Sequence, residues 1–517
     1  MRIFLTLTLI LLTSLISFAN PITLYDYGWA QAKTGEDRFW VLYNAHADAV
    51  KKNCSVNYSG LNDIEIEIPA NAKSIPLTEK TNFHNVSLTV KNSKKRDFVL
   101  FKLENKQKEI EVSKDCFRSF DFSAYPELRN GTILLVVNDE TPWVGQRIGY
   151  NYGATRYDIL LLKNGISVNR PASPYSNDIS IPKCSFVIVS TSKKFFRNIT
   201  FNRDKNSTQK TFLLAVKNQN NVEVSGIRLN TPQNDSLYGD HIITFNNCTN
   251  VTLKKVTVNN TYSKVDQFGY AFTLYNVWNT NVSDIKAEAP WGVFGNNNVN
   301  KAVIKNCVMN RFDLHCYGRD YSFENCVITS GIPIGSFLGT MSFKNCHFKS
   351  GTPCLYRYDY NAYMPFSLEF EKCEVEMDKN YHCFMYFSQL SKDENERAEL
   401  RKKNLPNVKI KNCEVRLADG LTSFDIVYMG KNYYQSPLAG MEMVQIDGLK
   451  VKGNCEAVRV ITNSTKTVSS VDLILDKLYF DGTQSPKVQV NLKDKQGKSA
   501  NLKAKAALKK RITIENR

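Results

Sequence analysis

A short phrase recurs through the second half of the chain, and it limits the folds that the chain can adopt. Each copy reads apolar, any, apolar, any, then a small or polar residue, then Cys or an aliphatic residue. The copies begin at Asn221, Asn250, Asn281, Lys301, Asp320, Thr340, Ser367, Asn407 and Met443. Five cysteines occupy one equivalent position, namely Cys307, Cys326, Cys346, Cys373 and Cys413. Self-similarity at a period of roughly 20 residues indicates a solenoid.

The repeated segments have the chemistry of strands rather than helices. They are short, alternate with a period of two, and are rich in Val, Ile, Phe and Thr. Leucine-rich repeats have a similar period, but they need several Leu per repeat and a helical side, and neither is present. The pattern therefore predicts a parallel β-helix, in which equivalent residues of successive coils stack about 4.8 Å apart.

The cysteine pattern is explained by this architecture. The chain has 13 cysteines, with no CxxC pair and no His/Cys cluster at zinc spacing, so a structural zinc site is not expected. The five equivalent cysteines are predicted to stack inside the solenoid, mostly as reduced thiols. Asparagines precede four of them and are predicted to occupy turns, where Asn tolerates a left-handed backbone: Asn306, Asn325, Asn345 and Asn412.

The first 19 residues have the pattern of a secretory signal peptide. A short basic start precedes an apolar run over residues 3–18, and Ser17 and Ala19 are the small residues before a cleavage point. No later stretch reaches the roughly 18 apolar residues that a membrane span requires. We therefore predict an exported protein, periplasmic or secreted after removal of residues 1–19.

Four segments are predicted along the chain. After the signal peptide, residues 20–184 would form an N-terminal cap and early coils with a β-rich insertion. The parallel β-helix coils are expected over 185–480, and a basic C-terminal cap or tail over 481–517. Residues 36–52 have the pattern of an amphipathic helix that could close the first coil.

These repeats, with the helix before them, resemble the right-handed parallel β-helix proteins of the pectate-lyase-like superfamily of carbohydrate-active proteins. The resemblance covers more than half of the chain. It implies an all-β fold, a right-handed parallel β-helix solenoid with an N-terminal capping helix. It also implies one of two chemistries: polysaccharide lyases remove the proton beside a uronate carboxylate, some with the help of Ca²⁺, and glycoside hydrolases use paired carboxylates.

The net charge favours an anionic partner. Lysine and arginine give the chain a formal charge of +17, and such proteins attract polyanions. Outside the cytoplasm an acidic polysaccharide is favoured over nucleic acid. We predict an acidic polysaccharide substrate, no nucleic-acid partner and a monomer.

The stretch RFDLHCYGRD, residues 311–320, is the main candidate for a site. If Phe312 and Leu314 point into the solenoid, the alternate residues share its outer face. Those residues supply a carboxylate, an imidazole, a phenol and two guanidinium groups, which suit acid–base chemistry on an acidic sugar. The predicted catalytic residues are Asp313, His315, Tyr317 and Arg319, with Arg311 predicted to bind substrate.

Neighbouring coils are predicted to add substrate-binding residues. By register, His241, Tyr270 and Trp291 would stack in one column with Asp313. The remaining predicted substrate-binding residues are Asp266, Arg357 and Tyr358.

Three functions remain open at the level of sequence. The motifs typical of polygalacturonases (NTD, DD, GHG and RxK) are absent, and the basic charge with the His/Tyr/Arg set favours a lyase acting on an acidic glycan. A glycosidase could use Asp313 with Asp266 or Asp240. A non-catalytic glycan-binding or cell-envelope β-helix is the third reading. No metal site is predicted, because no Asp/Glu cluster typical of calcium is found, although Ca²⁺ stays compatible with a lyase.

Overall fold

The computed structural model describes most of the chain between residues 20 and 491. The described residues are 20–142, 155–170, 183–230, 242–259, 269–287, 292–335, 337–349, 351–356, 366–379, 383–387, 406–429, 443–463, 472–481 and 487–491. They form a right-handed parallel β-helix closed at its N-terminal end by a helix. The fold class predicted from the repeats is therefore confirmed.

One long helix, Gly35–Lys52, lies on the first coil and contains the amphipathic segment predicted at 36–52. Its N-terminus is closed by a capping box, in which the Thr34 hydroxyl accepts from the Asp37 amide at 3.1 Å and the Asp37 carboxylate accepts from the Thr34 amide at 3.0 Å. A β-carbon at Gly35 would lie 2.8 Å from the backbone nitrogen of Glu67, so the helix start packs directly on a coil strand. The other helices are short: Tyr25–Tyr27, Trp29–Gln31, Cys116–Ser119 and Pro126–Arg129.

The strands stack coil on coil in parallel register. Ile243 pairs with Phe272, Phe272 with Phe294, and Phe294 with Phe312, so these side chains form an apolar column in the lumen. The early strands are Ile22–Thr23, Val56–Asn57, Asp63–Glu67, Ile75–Pro76, Lys80–Lys91 and Phe98–Glu104. The later ones are Lys194–Arg203, Thr211–Asn230, Ile243–Asn259, Tyr270–Ala287, Gly292–Lys305, Val308–Met309, Phe312–Glu324, Val327–Ile328, Ile332–Ile334, Phe337–Lys344, His347–Phe348, Cys354–Tyr356, Phe366–Glu371, Glu374–Met377, Cys383–Phe387, Asn407–Leu417, Ser423–Met429, Met443–Lys452, Ala457–Asn463, Asp472–Asp481 and Lys487–Asn491.

Asparagines turn the chain between the flat sections of each coil. Asn218, Asn247, Asn276 and Asn298 lie one above another with left-handed backbones, at φ of 57, 52, 56 and 52°. The side-chain amides of the last three each donate to the side-chain oxygen of the asparagine before, at 3.2, 2.8 and 2.7 Å. This buried ladder satisfies polar groups that the turns would otherwise leave without partners.

The cysteine column and its turns are present as the repeats predict. Cys307, Cys326, Cys346, Cys373 and Cys413 are all buried in the lumen. The preceding asparagines have left-handed backbones, with φ between 51 and 54° at Asn306, Asn325, Asn345 and Asn412. The thiols face backbone carbonyls; Cys307 Sγ, for example, lies 3.1 Å from the oxygen of Lys305. The column therefore fills the corner of the coil, and it carries architecture rather than chemistry.

A five-stranded antiparallel sheet interrupts the coils. Its strands are Lys108–Glu111, Thr132–Pro142, Thr155–Lys163, Ile166–Ser167 and Lys183–Ile188. One face packs on Phe117, Phe122 and Leu128, and the other packs towards Trp278 of the β-helix. Coil strands resume at Lys194, which pairs with Val222 of the next coil.

Among the described helices, none combines the length and the apolar character needed to cross a membrane.

A buried histidine under the capping helix makes stability sensitive to acid. His46 is enclosed, its Nε2 lies 2.5 Å from the Tyr58 hydroxyl, and burial lowers the pKa of His46 from 6.5 to about 3. Above pH 6.5 both folded and unfolded chains carry a neutral imidazole. Between 6.5 and 3 only the unfolded chain binds the proton, so this residue should lower the free energy of unfolding by about 1.4 kcal/mol per pH unit. Denaturant titrations from pH 7 to pH 5 measure the slope, and His46→Gln should reduce it; an unchanged slope in the variant would contradict the assignment.

Candidate functional site

The strand Phe312–Glu324 presents opposite faces to the lumen and to the outside. Phe312 and Leu314 belong to the apolar core, whereas Asp313 and His315 lie on the other side of the same strand. His315 keeps 13% of its side chain exposed, and the Asp313 side chain is completely buried. The imidazole at 315 therefore projects outward, while the carboxylate beneath it is covered by its neighbours.

A tyrosine from an earlier coil joins these two residues. The Tyr270 hydroxyl lies 2.7 Å from Asp313 Oδ2 and 2.9 Å from His315 Nε2, and the rings of Tyr270 and His315 meet edge to face with centroids 5.6 Å apart. His315 Nε2 is 3.6 Å from Asp313 Oδ2. Phenol, imidazole and carboxylate thus share one hydrogen-bonded cluster.

Asp313 is held as an anion by its surroundings. Burial alone would raise its pKa, but the contacts with His315 and Arg311 more than offset it, so the pKa of Asp313 lies below its usual range. Arg311 Nη2 donates to Asp313 Oδ2 at 2.7 Å, and Nε donates to Oδ1. The backbone oxygen of Asp313 accepts from Asn296 Nδ2 at 3.1 Å.

The direction of the hydrogen bonds follows from this charge. An ionised carboxylate only accepts, so the Tyr270 hydroxyl donates its single proton to Asp313. The phenolic oxygen must then accept from His315, which requires a proton on Nε2. The cluster is thus an ordered proton chain that runs from His315 through Tyr270 to Asp313.

His315 lies at an irregularity of the strand. Asn296 pairs with Leu314 and Asn297 pairs with Cys316, so His315 is the extra residue of a β-bulge. Bulges re-aim side chains and are frequent beside active sites. Here the bulge lies beside the residue whose imidazole contacts Tyr270.

Two glycines make room for Tyr270. A β-carbon at Gly295 would lie 2.6 Å from the Tyr270 ring, and one at Gly292 would lie 3.1 Å from it. The ring therefore lies over the glycines of the next coil, and its hydroxyl reaches Asp313 and His315 on the coil after that. The expected column is incorrect in its register, because Tyr270 pairs with Gly292 and Asp313 pairs with Gly295; the side chain, not the backbone register, brings Tyr270 to Asp313.

Arg319 lies away from this cluster. Tyr317 occupies the register position of Asn298, the turn residue of the preceding coil, so Arg319 follows the corner that these asparagines mark. The Arg319 guanidinium pairs with Asp320 at 3.5 Å and keeps 39% of its side chain exposed. Simple alternation along residues 311–320 could not reveal this corner.

Several predicted residues lie outside the described part of the chain. Of Tyr317 only the backbone is described, and the others are His241, Asp266, Trp291, Arg357 and Tyr358, together with Asp240. Within the described ranges no group of three or more His, Cys, Asp or Glu side chains is arranged to hold a metal ion.

Comparison with known proteins identifies the fold. No protein-family model matches the sequence, and no curated protein matches it. Among solved structures, the tailspike protein gp49 from Pseudomonas phage LKA1 matches with a TM-score of 0.58 at 12% identity, over 90% of this chain and 83% of that one. The Pseudomonas phage phi297 tailspike gp61 matches with a TM-score of 0.56 at 12% identity, over 91% and 80% of the two chains.

A third similar structure is a complex with a saccharide. The Gp54 tailspike of Acinetobacter baumannii bacteriophage AP22, in complex with A. baumannii capsular saccharide, matches with a TM-score of 0.51 at 12% identity, over 92% of this chain and 76% of that one. The chain is thus a parallel β-helix protein, similar in fold to phage tailspikes.

Filling the space that Gly295 leaves under the Tyr270 ring should displace the ring without altering any polar group of the cluster. In Gly295→Ala the new methyl group would overlap the Tyr270 ring, so the hydroxyl must move away from His315 and Asp313. Under the catalytic role proposed below, we expect the turnover rate to fall about 10²-fold. Gly318→Ala is a matched control, because its methyl group would meet Phe337 in the core at 2.6 Å. Equal activity of the two variants, at equal stability, would show that Tyr270 has no catalytic part.

Proposed function

We propose that this chain is an exported polysaccharide-degrading enzyme of the pectate-lyase-like superfamily, a lyase that cleaves an acidic, uronate-containing glycan by β-elimination. The observation that carries the proposal is the contact of the Tyr270 hydroxyl with His315 and Asp313 on the outside of a β-helix coil. The fold supports a glycan partner, because one similar structure is a tailspike in complex with a capsular saccharide.

The cluster can move the two protons that an elimination requires. His315 accepts the proton from the carbon beside the uronate carboxylate, and the electron pair of that C–H bond forms the new double bond as the glycosidic C–O bond breaks. Tyr270 gives its hydroxyl proton to the departing oxygen. Because Nε2 already carries a proton, His315 takes the substrate proton on Nδ1 and then returns the Nε2 proton to the phenolate along their 2.9 Å contact. The imidazole is left neutral with its proton on Nδ1, and exchange with solvent restores the starting tautomer.

Asp313 and Arg311 hold this pair in place. The buried carboxylate stabilises positive charge on His315 at 3.6 Å and orients the Tyr270 hydroxyl. Arg311 keeps the carboxylate ionised, which is its role here in place of direct substrate binding. Arg319 lies beyond the corner of the coil, where it pairs with Asp320, so it is assigned no part at the cleaved bond.

A glycoside hydrolase fits the geometry less well. Such enzymes need a carboxylic acid that can protonate the glycosidic oxygen, paired with a second carboxylate. Asp313 has a lowered pKa and is closed off by Arg311, so it cannot supply that proton. The carboxylates predicted to partner Asp313 in a hydrolase, Asp266 and Asp240, lie outside the described residues.

The experiment is a screen of the purified protein against uronate-containing, sulfated and neutral polysaccharides. Ultraviolet absorbance reports unsaturated uronate, and a reducing-end assay reports all chain cleavage. With uronate polymers we expect absorbance and reducing ends to increase together. With His315→Ala we expect neither to increase. Reducing ends without absorbance would point to a hydrolase, and tight binding with no cleavage would point to a glycan-binding protein.

A further inference from the structure

The inserted antiparallel sheet stands beside the outer face that carries His315. Asn276 Nδ2 donates to the backbone oxygen of Asp158 at 3.2 Å, and Asn300 Nδ2 donates to that of Arg170 at 2.8 Å. The indole of Trp278 packs against the apolar face of the inserted sheet. The insertion is therefore fixed to the turns that border this face, and it forms a wall along it.

Two tyrosines meet where this wall joins the coils. Tyr157 of the insertion and Tyr275 of the β-helix are both partly exposed, and their rings meet edge to face with centroids 5.6 Å apart. Tyr275 pairs with Asn297, which pairs with Cys316 next to His315, so Tyr275 lies two coils before His315, on the same strand as Tyr270. At about 4.8 Å per coil, this is about 10 Å from His315, roughly the length of two sugar units.

The outward positions between the tyrosines and the cluster are neutral. Thr273 and Asn297 occupy these positions and are partly exposed, with Gly295 between Thr273 and Asp313. Thr244 and Asn246 continue the same two columns on the coil before Tyr275. Hydroxyl and amide groups suit sugar hydroxyls, whereas nothing on this floor matches a carboxylate. The chain as a whole has a formal charge of +17, but this floor is neutral. It therefore favours a neutral sugar over an acidic one at this place.

We propose that Tyr157 and Tyr275 form a stacking subsite for a neutral pyranose, about two sugar units from the cleaved bond. The substrate is then a heteropolymer in which neutral sugars adjoin the acidic one. This inference rests on the proposed function, because it takes the Tyr270–His315 cluster as the place of cleavage.

The first test uses kinetics on whichever polymer the protein cleaves. Tyr275→Ala and Tyr157→Ala should each raise KM about tenfold with little change in kcat, because the contact is remote from the reacting bond. The phenylalanine variants should behave like wild type, since a ring face is kept. Tyr25→Ala, which removes a tyrosine that is 52% exposed near the N-terminal end, is the matched control. An unchanged KM in both alanine variants would overturn the inference.

A binding measurement separates this inference from the proposed function. Affinity electrophoresis in gels with rhamnogalacturonan, whose neutral and acidic sugars alternate, is compared with gels containing polygalacturonate, which is wholly acidic. The inference predicts retardation by rhamnogalacturonan that both alanine variants lose, even if nothing is cleaved. Stronger retardation by polygalacturonate, or equal retardation of variants and wild type, would overturn it while leaving the elimination mechanism to its own test.

Discussion

Replacing His315 with alanine is expected to lower the rate of glycan cleavage by about 10²- to 10⁴-fold, the usual contribution of a positioned acid–base group. The imidazole is partly exposed, so its removal should change the free energy of unfolding little. The Tyr270 hydroxyl keeps its bond to Asp313, and binding of the polymer should persist. Initial rates from ultraviolet absorbance, with denaturant unfolding of the same samples, measure both effects.

His347→Ala is the matched control for this variant. His347 lies on a later coil, keeps 27% of its side chain exposed, and pairs with Glu376 at 2.8 Å. It therefore resembles His315 in exposure and in having a carboxylate nearby, but it is remote from Tyr270. Equal losses of activity in the two histidine variants would mean that His315 has no special part in the reaction.

Replacing Asp313 with asparagine should cost both stability and activity. The change leaves the Arg311 guanidinium beside a neutral, fully buried amide, and breaking a buried ion pair typically costs about 3 kcal/mol of unfolding free energy. It also removes the anion that orients Tyr270 and supports charge on His315, so cleavage should fall by about 10²-fold or more. Urea titrations and initial rates test the two losses separately.

The chain contains a matched pair for this experiment. Asp425 is also completely buried, and Arg459 Nη2 donates to its Oδ2 at 3.0 Å on strands several coils away. Asp425→Asn should lose similar stability and keep its activity once folded. If both variants lose activity in proportion to stability alone, Asp313 is a structural residue only.

Much of the fold could be predicted because each repeat contains local sequence signals for the strands and the turn of its own coil. The alternation identifies the strands, and the Asn–Cys step marks one turn and sets the register. The buried column from Cys307 to Cys413 shows how far such local signals reach. The partners within the inserted sheet are distant along the chain, so the sequence predicted a β-rich insertion without its strand order.

The candidate site was only partly predictable. Alternation placed Asp313 and His315 together, but it continued past the bulge at His315 and past the corner at the register position of Asn298, beyond which Arg319 lies. Both depend on how this coil fits onto the one before it, which the strand's own residues do not encode. The sequence did contain one unused signal: Gly292 and Gly295 within a strand indicate the close approach of another group, here Tyr270.

The mass of the released sugars distinguishes elimination at the Tyr270–His315 cluster from hydrolysis. Wild-type protein and His315→Ala are incubated with a uronate polymer, and the masses of the fragments are measured by mass spectrometry. We expect fragments one water lighter than hydrolysis products from wild type, and none from His315→Ala. Fragments that have gained water, or equal release by the variant, would contradict this expectation.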